Sequence, residues 1–481
     1  MNILIDLLIK KDNMKKILFI NPCLRQNARR KFPPVGLAYI LTAVEKAGIE
    51  FDLFDMDAHE LSIEDLREHL QRKTYDIVAL GTIVTALKLV RDIAATIREI
   101  NPVTTIIAGN SVATSIPEML LRNTEIDIAV LGEGDITIVE LLRALDTNTD
   151  LNQVKGIAFL RDGKFVKTAA RELIPNLDEI GFPNWDLFDL PRYNKNMLKP
   201  IMDDSTESVV YPLNAARGCP FSCTFCYHVF KGQRYRKYSE EAVMKEFTRL
   251  HDKYQATFIF FWDELTFPTI PTVERMVTQL EQLPFRVGWD AITRGDLFGQ
   301  ADVALVRRMR DVGCKSISFS IENASPEILQ AMNKKIQIHR VVKHCEALIR
   351  GGVTPHTSII FGYPQETPET IQMTLDLCER CNIYPSVGFL QPLPGTPIYE
   401  WAVQNGYIKN EMEYLLEAGD RQDLHVNLTQ MSSEELLDRV VHGMQRLAER
   451  MGLKFDNPLK TGVYQKPQKT TQTRGASGEL G

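Results

Sequence analysis

Short apolar segments alternate with helical ones twice along this chain, and that alternation leaves few architectures open. Apolar runs at 17–20, 51–54, 77–80, 105–108 and 126–131 read as strands. Helical stretches separate them at 36–47, 87–100 and 116–122, and a last one runs to Leu145 after Gly132-Glu133-Gly134. Strands joined this way form a parallel sheet covered on both faces, with ligands bound outside the carboxyl ends of the strands. A second series has six strands at 209–213, 258–262, 286–290, 316–321, 357–361 and 386–390. Six strands with helices between them suit a partial (β/α) barrel better than a closed one. The fold class is α/β.

At 481 residues the chain has room for roughly three domains. The first αβ series fills 15–155 and the second 208–405, with a hairpin and connector at 156–207. Asp162-Gly163 marks the hairpin turn. Phe182, Pro183, Trp185, Phe188 and Tyr193 make the connector apolar, so it should lie over a surface. Residues 406–459 read as a helical region whose amphipathic helix at 432–451 starts at a Ser432-Ser433-Glu434-Glu435 cap. Residues 1–14 are an extension, and the polar tail 460–481 reads as disordered.

Sixty-two acidic residues against 56 basic ones leave a charge of −6, so no global excess of cations is available to neutralise a nucleic acid. There is no apolar run of about 18 residues, hence no membrane span. The apolar start carries Asp6, and its lysines follow the apolar stretch, opposite to a signal peptide. The expectation is a cytoplasmic protein with reduced thiols.

Five of the eight cysteines are scattered, but Cys219, Cys223 and Cys226 form C-x3-C-x2-C just after the first strand of the second series. Chance gives such a triplet on the order of 0.002 times per chain. Three thiolates on one loop can ligate three irons of a [4Fe–4S] cluster and leave the fourth without a protein ligand. An open metal position is where a cosubstrate coordinates. A zinc site completed by His228 is the alternative. Cys378 and Cys381 form a C-x2-C with no partner pair, and read as buried free thiols.

The run RGCPFSCTFCYH, with Phe225 before its last cysteine, resembles the signature of the radical S-adenosylmethionine (SAM) enzymes. Phe261-Trp262-Asp263-Glu264, at the second strand end, resembles that family's acidic motif for the methionyl ammonium. Ser320-Ile321-Glu322 ends the fourth strand, where the family carries a polar and an acidic residue near the ribose. Trp289 and Arg294 resemble a W-x4-R pattern whose arginine pairs with the methionyl carboxylate, and 361–367 and 392–402 match the last two strand ends. The resemblance thus implies Phe225, Asp263, Glu264, Arg294, Ser320 and Glu322 as SAM-binding residues. Taken singly, the acidic pair also suits a solvated helix cap and Arg294 a surface ion pair.

Residues 15 to about 150 resemble the Rossmann-like cobalamin-binding domain that precedes the radical domain in one class of these enzymes. The matching elements are PPVGLAYILTAVEKAG, LGTIVTAL, IAGNSVATS and LGEGD. They imply Pro34, Val35, Gly36 and Leu37, then Thr82, Ile83 and Thr85, then Gly109 and Ser111, then Gly132, Glu133 and Gly134 as cobalamin-binding residues. Small residues at strand ends let a flat corrin approach the backbone. The D-x-H-x-x-G loop of many cobalamin domains is replaced by Asn21-Pro22-Cys23, and Asp57-Ala58-His59 follows the wrong strand. Cobalamin with its base off the cobalt is therefore expected, the alternative being a degenerate domain kept as a lid. Lys231, Arg234, Arg236 and Lys237 form a basic run that faces the active site or cobalamin phosphate, or else solvent, ahead of a cap at Ser239.

The resemblance implies an enzyme that splits SAM to a 5′-deoxyadenosyl radical and methylates an unactivated carbon of a small molecule, using an external flavodoxin- or ferredoxin-like electron donor. The alternatives are a cyclisation, rearrangement or other bond formation from the same radical, and a carrier without catalysis. A carrier has no need of a methionine clamp. No motif names the substrate.

Overall fold

The computed structural model describes residues 15–25, 31–194, 208–227, 229–230, 234–455 and 457–459. The extension 1–14, the tail 460–481, His228 and Lys231 lie outside the described residues.

In the first domain, β1 (Ile17–Asn21), β2 (Asp52–Asp55), β3 (Ile77–Gly81), β4 (Thr105–Gly109) and β5 (Ile128–Val130) lie in the order β2-β1-β3-β4-β5, all parallel. Alternation along β1 sends Leu18 and Ile20 into one helix-covered core and Ile17 and Phe19 into another, as a sheet buried on both faces requires. The expected hairpin forms from β6 (Ile157–Arg161) and β7 (Lys164–Lys167), turning at Asp162 (φ 50°) and Gly163 (φ 73°). It does not stand apart with the connector. β6 pairs antiparallel with β5, so the hairpin extends the first sheet to seven strands.

The second domain holds β8 (Val210–Leu213), a two-stranded ribbon of β9 (Ala216–Arg217) and β10 (Arg236–Lys237), then β11 (Phe258–Phe261), β12 (Gly288–Ile292), β13 (Cys314–Glu322), β14 (Thr354–Phe361) and β15 (Ser386–Phe389). Apart from the ribbon these pair in chain order as a six-stranded parallel sheet, the expected partial barrel. β12 starts at Gly288, not 286, because Arg286 turns onto the carbonyls of Leu283 and Phe285 and stays in the preceding turn.

Ile259, Phe261, Trp289, Ala291, Ile317 and Val387 face the helices in one continuous core. Trp289 belongs there, its Nε1 donating to the Val312 carbonyl at 3.0 Å, so only the arginine of the W-x4-R pattern is near the chemistry. Strand alternation turns the intervening residues to the concave face. On β8 and β11 these are Val210, Phe258 and Phe260, which pack with Ala58, Tyr193 and Phe32. On β12 to β15 they are polar: Asp290 pairs in register with Ser316, and Ser320 with Ser358, which pairs with Ser386.

The connector lies over both domains, with Phe182 stacked on Tyr238 at 4.4 Å and Trp185 and Tyr193 buried. Beyond the barrel, the helix Glu411–Glu417 turns back and places Leu415 in a core of the first domain. The helix Ser433–Arg450 is capped by Ser432, whose hydroxyl accepts from the Glu435 amide at 3.1 Å. No helix of the described residues is long and apolar enough to cross a membrane.

Candidate active site between the two domains

The cysteine loop leaves β9 through Gly218, whose φ of +88° suits glycine, and all three cysteines are half-buried. Glu264 anchors the loop by accepting from the Gly218 amide at 3.1 Å. At its far end the Thr224 amide donates to the Met332 carbonyl at 2.9 Å, its hydroxyl meets that of Tyr363 at 2.9 Å, and its carbonyl accepts from the Ile398 amide. Phe225 sits edge-on to Tyr363. The thiols are thus presented by backbone fixed at both ends. Burial raises the Cys219 thiol pKa, with Cys223 close enough to add to the effect. Coordination to a metal deprotonates such thiols, and three cysteines on one loop suit the chemistry of a [4Fe–4S] cluster, one sulfur on each of three irons.

The two acids of the expected clamp, Asp263 and Glu264, both hold the loop. Asp263 is buried, and burial pushes its carboxyl up to about 7 although it accepts from the amides of Ala215 and Ala216 at 2.9 and 3.1 Å. It braces the start of the loop. Glu322 stands at a register shift at the end of β13 with φ +66°, an uncommon conformation for glutamate, and Lys334 lies 3.0 Å from its carboxylate. Arg294 stacks over Phe221 with 3.9 Å to the ring centre, and donates to the Lys335 carbonyl at 2.5 Å. Ser320 shares a 2.8 Å hydrogen bond with Ser358. Arg294, Lys334 and the cysteine loop therefore border one another, with Asn333 donating to Ser222 at 2.9 Å.

The expected cobalamin-binding residues gather at the carboxyl edge of the first sheet. A Cβ added at Gly36, Gly109 or Gly132 would meet nothing within 4 Å, so their backbones border open space. Pro34, Leu37 and Thr85 are half-buried and Ile83 is 48% exposed. Val35 and Thr82 point inward. Ser111 is also buried, its hydroxyl accepting from the Val84 amide at 2.9 Å, so it shapes the loop. Two positions behave differently from expectation. A Cβ on Gly134 would lie 2.7 Å from Cδ1 of Ile40, which makes Gly134 a helix-packing residue. The buried Glu133 is engaged by protein: Oε1 accepts from Arg217 at 2.8 Å and Oε2 from Arg236 at 3.0 Å and the Ile174 amide at 3.0 Å.

Arg217 also donates to both oxygens of Asp135, at 2.9 and 3.0 Å, and lies over the Tyr39 ring. Burial works against its charge, but Asp135 raises its pKa further. The residue two positions before Cys219 is thereby fastened to the carboxyl edge of the first sheet. Of the basic run, Arg236 faces neither active site nor solvent but joins this network, while Lys237 pairs with Glu240 on the surface. Sequence reading gave Arg217 and Asp135 no role although both lie within quoted motifs. Cys378 and Cys381 are buried as expected, with Cys345 against Cys381.

Comparison with known proteins gives the same two parts. Residues 23–142 match the B12 binding domain model and 213–378 that of the radical SAM superfamily. An uncharacterized methyltransferase of Pyrococcus horikoshii is 28% identical over 400 residues, covering 82% of this chain and 84% of its own. The anaerobic magnesium-protoporphyrin IX monomethyl ester cyclase of Cereibacter sphaeroides is also 28% identical over 403 residues, covering 80% of this chain but only 63% of its own. The fold is that of the radical SAM methyltransferase TsrM of Kitasatospora setae, solved with cobalamin and a [4Fe-4S] cluster bound (TM-score 0.66, 17% identity, 82% of this chain and 76% of that one). With a B12-binding domain clasped to the mouth of a radical SAM barrel, this chain belongs to the cobalamin-dependent radical SAM enzymes.

Proposed function

We propose that this enzyme methylates an unactivated carbon of a small molecule. The observation carrying the reading is the clasp of Arg217 to Glu133 and Asp135, which holds the cysteine loop against the glycine-lined edge of the B12-binding domain. A methyl carrier and a radical source are useful together only if both reach one substrate atom. When bound, the cluster supplies the electron that splits SAM, and cobalamin carries the methyl group.

The chain's own residues bind and orient. Cys219, Cys223 and Cys226 hold the cluster, and Glu264 fixes their loop through the Gly218 amide. Glu264, with the buried Asp263 behind it, offers negative charge for the methionyl ammonium, Glu322 stands for the ribose, and Arg294 offers its guanidinium to the carboxylate. Gly36, Gly109 and Gly132 leave room for the corrin, with Pro34, Leu37, Ile83 and Thr85 around it. The protein needs an external one-electron donor of the flavodoxin or ferredoxin kind. The likeness to a cyclase supports a second reading, in which the same radical forms another bond and no methyl group is added. The methyl count of the product separates the two.

The test is anaerobic reconstitution with iron, sulfide and cobalamin. Wild type should hold about four irons and release 5′-deoxyadenosine from SAM under reduction. The variant Cys219→Ala/Cys223→Ala/Cys226→Ala should lose both, and retention of the iron would refute the assignment. No histidine occupies the loop after β1, so the Co(II) form should show no nitrogen splitting from an axial base in electron paramagnetic resonance. A three-line nitrogen pattern would refute the base-off state, and failure to retain cobalamin would favour a lid.

A further inference from the structure

The concave face of the barrel is apolar on β8 and β11, where the first domain covers it, and polar on β12 to β15. At the β15 edge of the polar half stands an arginine that no motif marks. The Arg421 carbonyl accepts from the Phe389 amide at 2.7 Å, which lays this stretch of chain along the last strand. Its side chain then crosses onto the concave face. Nη2 donates to the Ser386 hydroxyl at 2.8 Å, and the side chain passes over Gly388, where an added Cβ would lie 3.3 Å from both Cδ and Nη1.

The buried Arg217 has two carboxylates. Arg421 has no ion pair among the described residues. Glu322 is the first acid to act on it, yet that carboxylate is held by Lys334 at 3.0 Å. The neighbouring Asp420 pairs with Arg25 at 3.2 Å. A guanidinium has five N–H donors, and one hydroxyl leaves most of them to be matched. Arg421 is half-buried, so these donors stay open to a ligand, and a guanidinium without a counter-ion gains charge-assisted hydrogen bonds when an anion docks on it. The register fixes its height. Ser386 lies level with Ser358 and Ser320, and Glu322 is two residues further along β13, towards the cysteine loop.

We propose that Arg421 is the anchor for an oxyanion on the substrate, a carboxylate or a phosphoryl group, which docks on the guanidinium at the Ser320–Ser358–Ser386 level. Bidentate pairing of a planar guanidinium with an oxyanion fixes orientation as well as position, and so presents the substrate's carbon to the mouth above. The proposal rests on the reading of this barrel as the radical site. It gives the substrate class as an acid.

Equilibrium dialysis of the reconstituted, oxidised enzyme against labelled inorganic phosphate and labelled acetate, at constant ionic strength, tests it. Wild type should take up about one equivalent of at least one of the two saturably, and the tighter one gives the chemical source. Arg421→Gln should weaken that binding at least tenfold, and Arg421→Lys should restore part of it. Ser386→Ala, which leaves the charge but frees the guanidinium, should weaken it severalfold and stands in if the glutamine variant does not fold. Equal binding by wild type and Arg421→Gln, or no saturable binding of either anion by wild type, overturns the proposal. Reductive SAM cleavage by the same wild-type preparation is scored separately. Its absence defeats the radical reading, whereas cleavage without anion binding defeats only the anchor.

Discussion

Arg294 is held by groups that leave its charge largely unspent. The Phe221 ring and the Lys335 carbonyl orient the guanidinium, and Asp296 approaches only to 3.4 Å. Among the described residues only this one long ion pair engages the cation, which suits recognition of a carboxylate, because a tight internal salt bridge would compete with the ligand. Arg294→Ala should therefore weaken SAM binding by about 1.5–3 kcal/mol, measured by calorimetry on the reconstituted protein. Unchanged affinity would remove Arg294 from the site. This residue was named on its resemblance to a family pattern after a strand, and the structure places it against Phe221 of the cysteine loop. Glu133 was not readable in the same way. Its partners Arg217 and Arg236 lie 84 and 103 residues further along the chain, and no local pattern carries that information. Gly134 is a related case: a glycine that admits a helix and one that admits a ligand look alike until Ile40 is seen beside it.

The strands were readable because each carries its own burial pattern, and every strand of the two main parallel runs is near its expected place. The errors lie at ends, such as the start of β12, where one side chain bonding back to its own turn decides the boundary. A second feature of the barrel elements has no sequence signal. His344, on the helix Ile338–Gly351, is fully buried between the rings of Phe298 and Phe319. Its Nδ1 accepts from the Phe298 amide at 3.0 Å, and burial lowers its pKa to about 3. The folded ring therefore stays neutral where the unfolded one, near 6.5, takes a proton. Below pH 6.5 the unfolded state binds the extra proton, so this contribution to stability falls as pH drops towards 3 and is constant above 6.5. The slope from one proton is at most about 1.4 kcal/mol per pH unit. His344→Asn, which keeps an acceptor without a titrating group, should flatten the fall in urea midpoint between about pH 6 and 5. A variant with the wild-type slope would show that other groups govern acid unfolding.

For the molecule as a whole, the buried network of Arg217, Glu133, Asp135 and Arg236 joins the two domains through charges with little access to water. Removing one member leaves the others uncompensated, so Arg217→Met should destabilise the fold by about 3 kcal/mol or more in chemical denaturation. It should also lower cobalamin retention, since the cysteine loop and the corrin edge lose their shared fastening. A variant as stable as wild type would mean that the domains are held by their apolar contacts alone. The order of synthesis gives a last consequence, from the place of Leu415 in the first domain's core. A ribosome makes that domain first and the helix that completes it more than 260 residues later, after Asp146 has long been released. The nascent B12 domain therefore waits with an open apolar slot while the whole barrel is made. Final closure around a cofactor belongs to the finished chain, and any product stopped short of Glu411 carries that exposed slot as a mark for quality control.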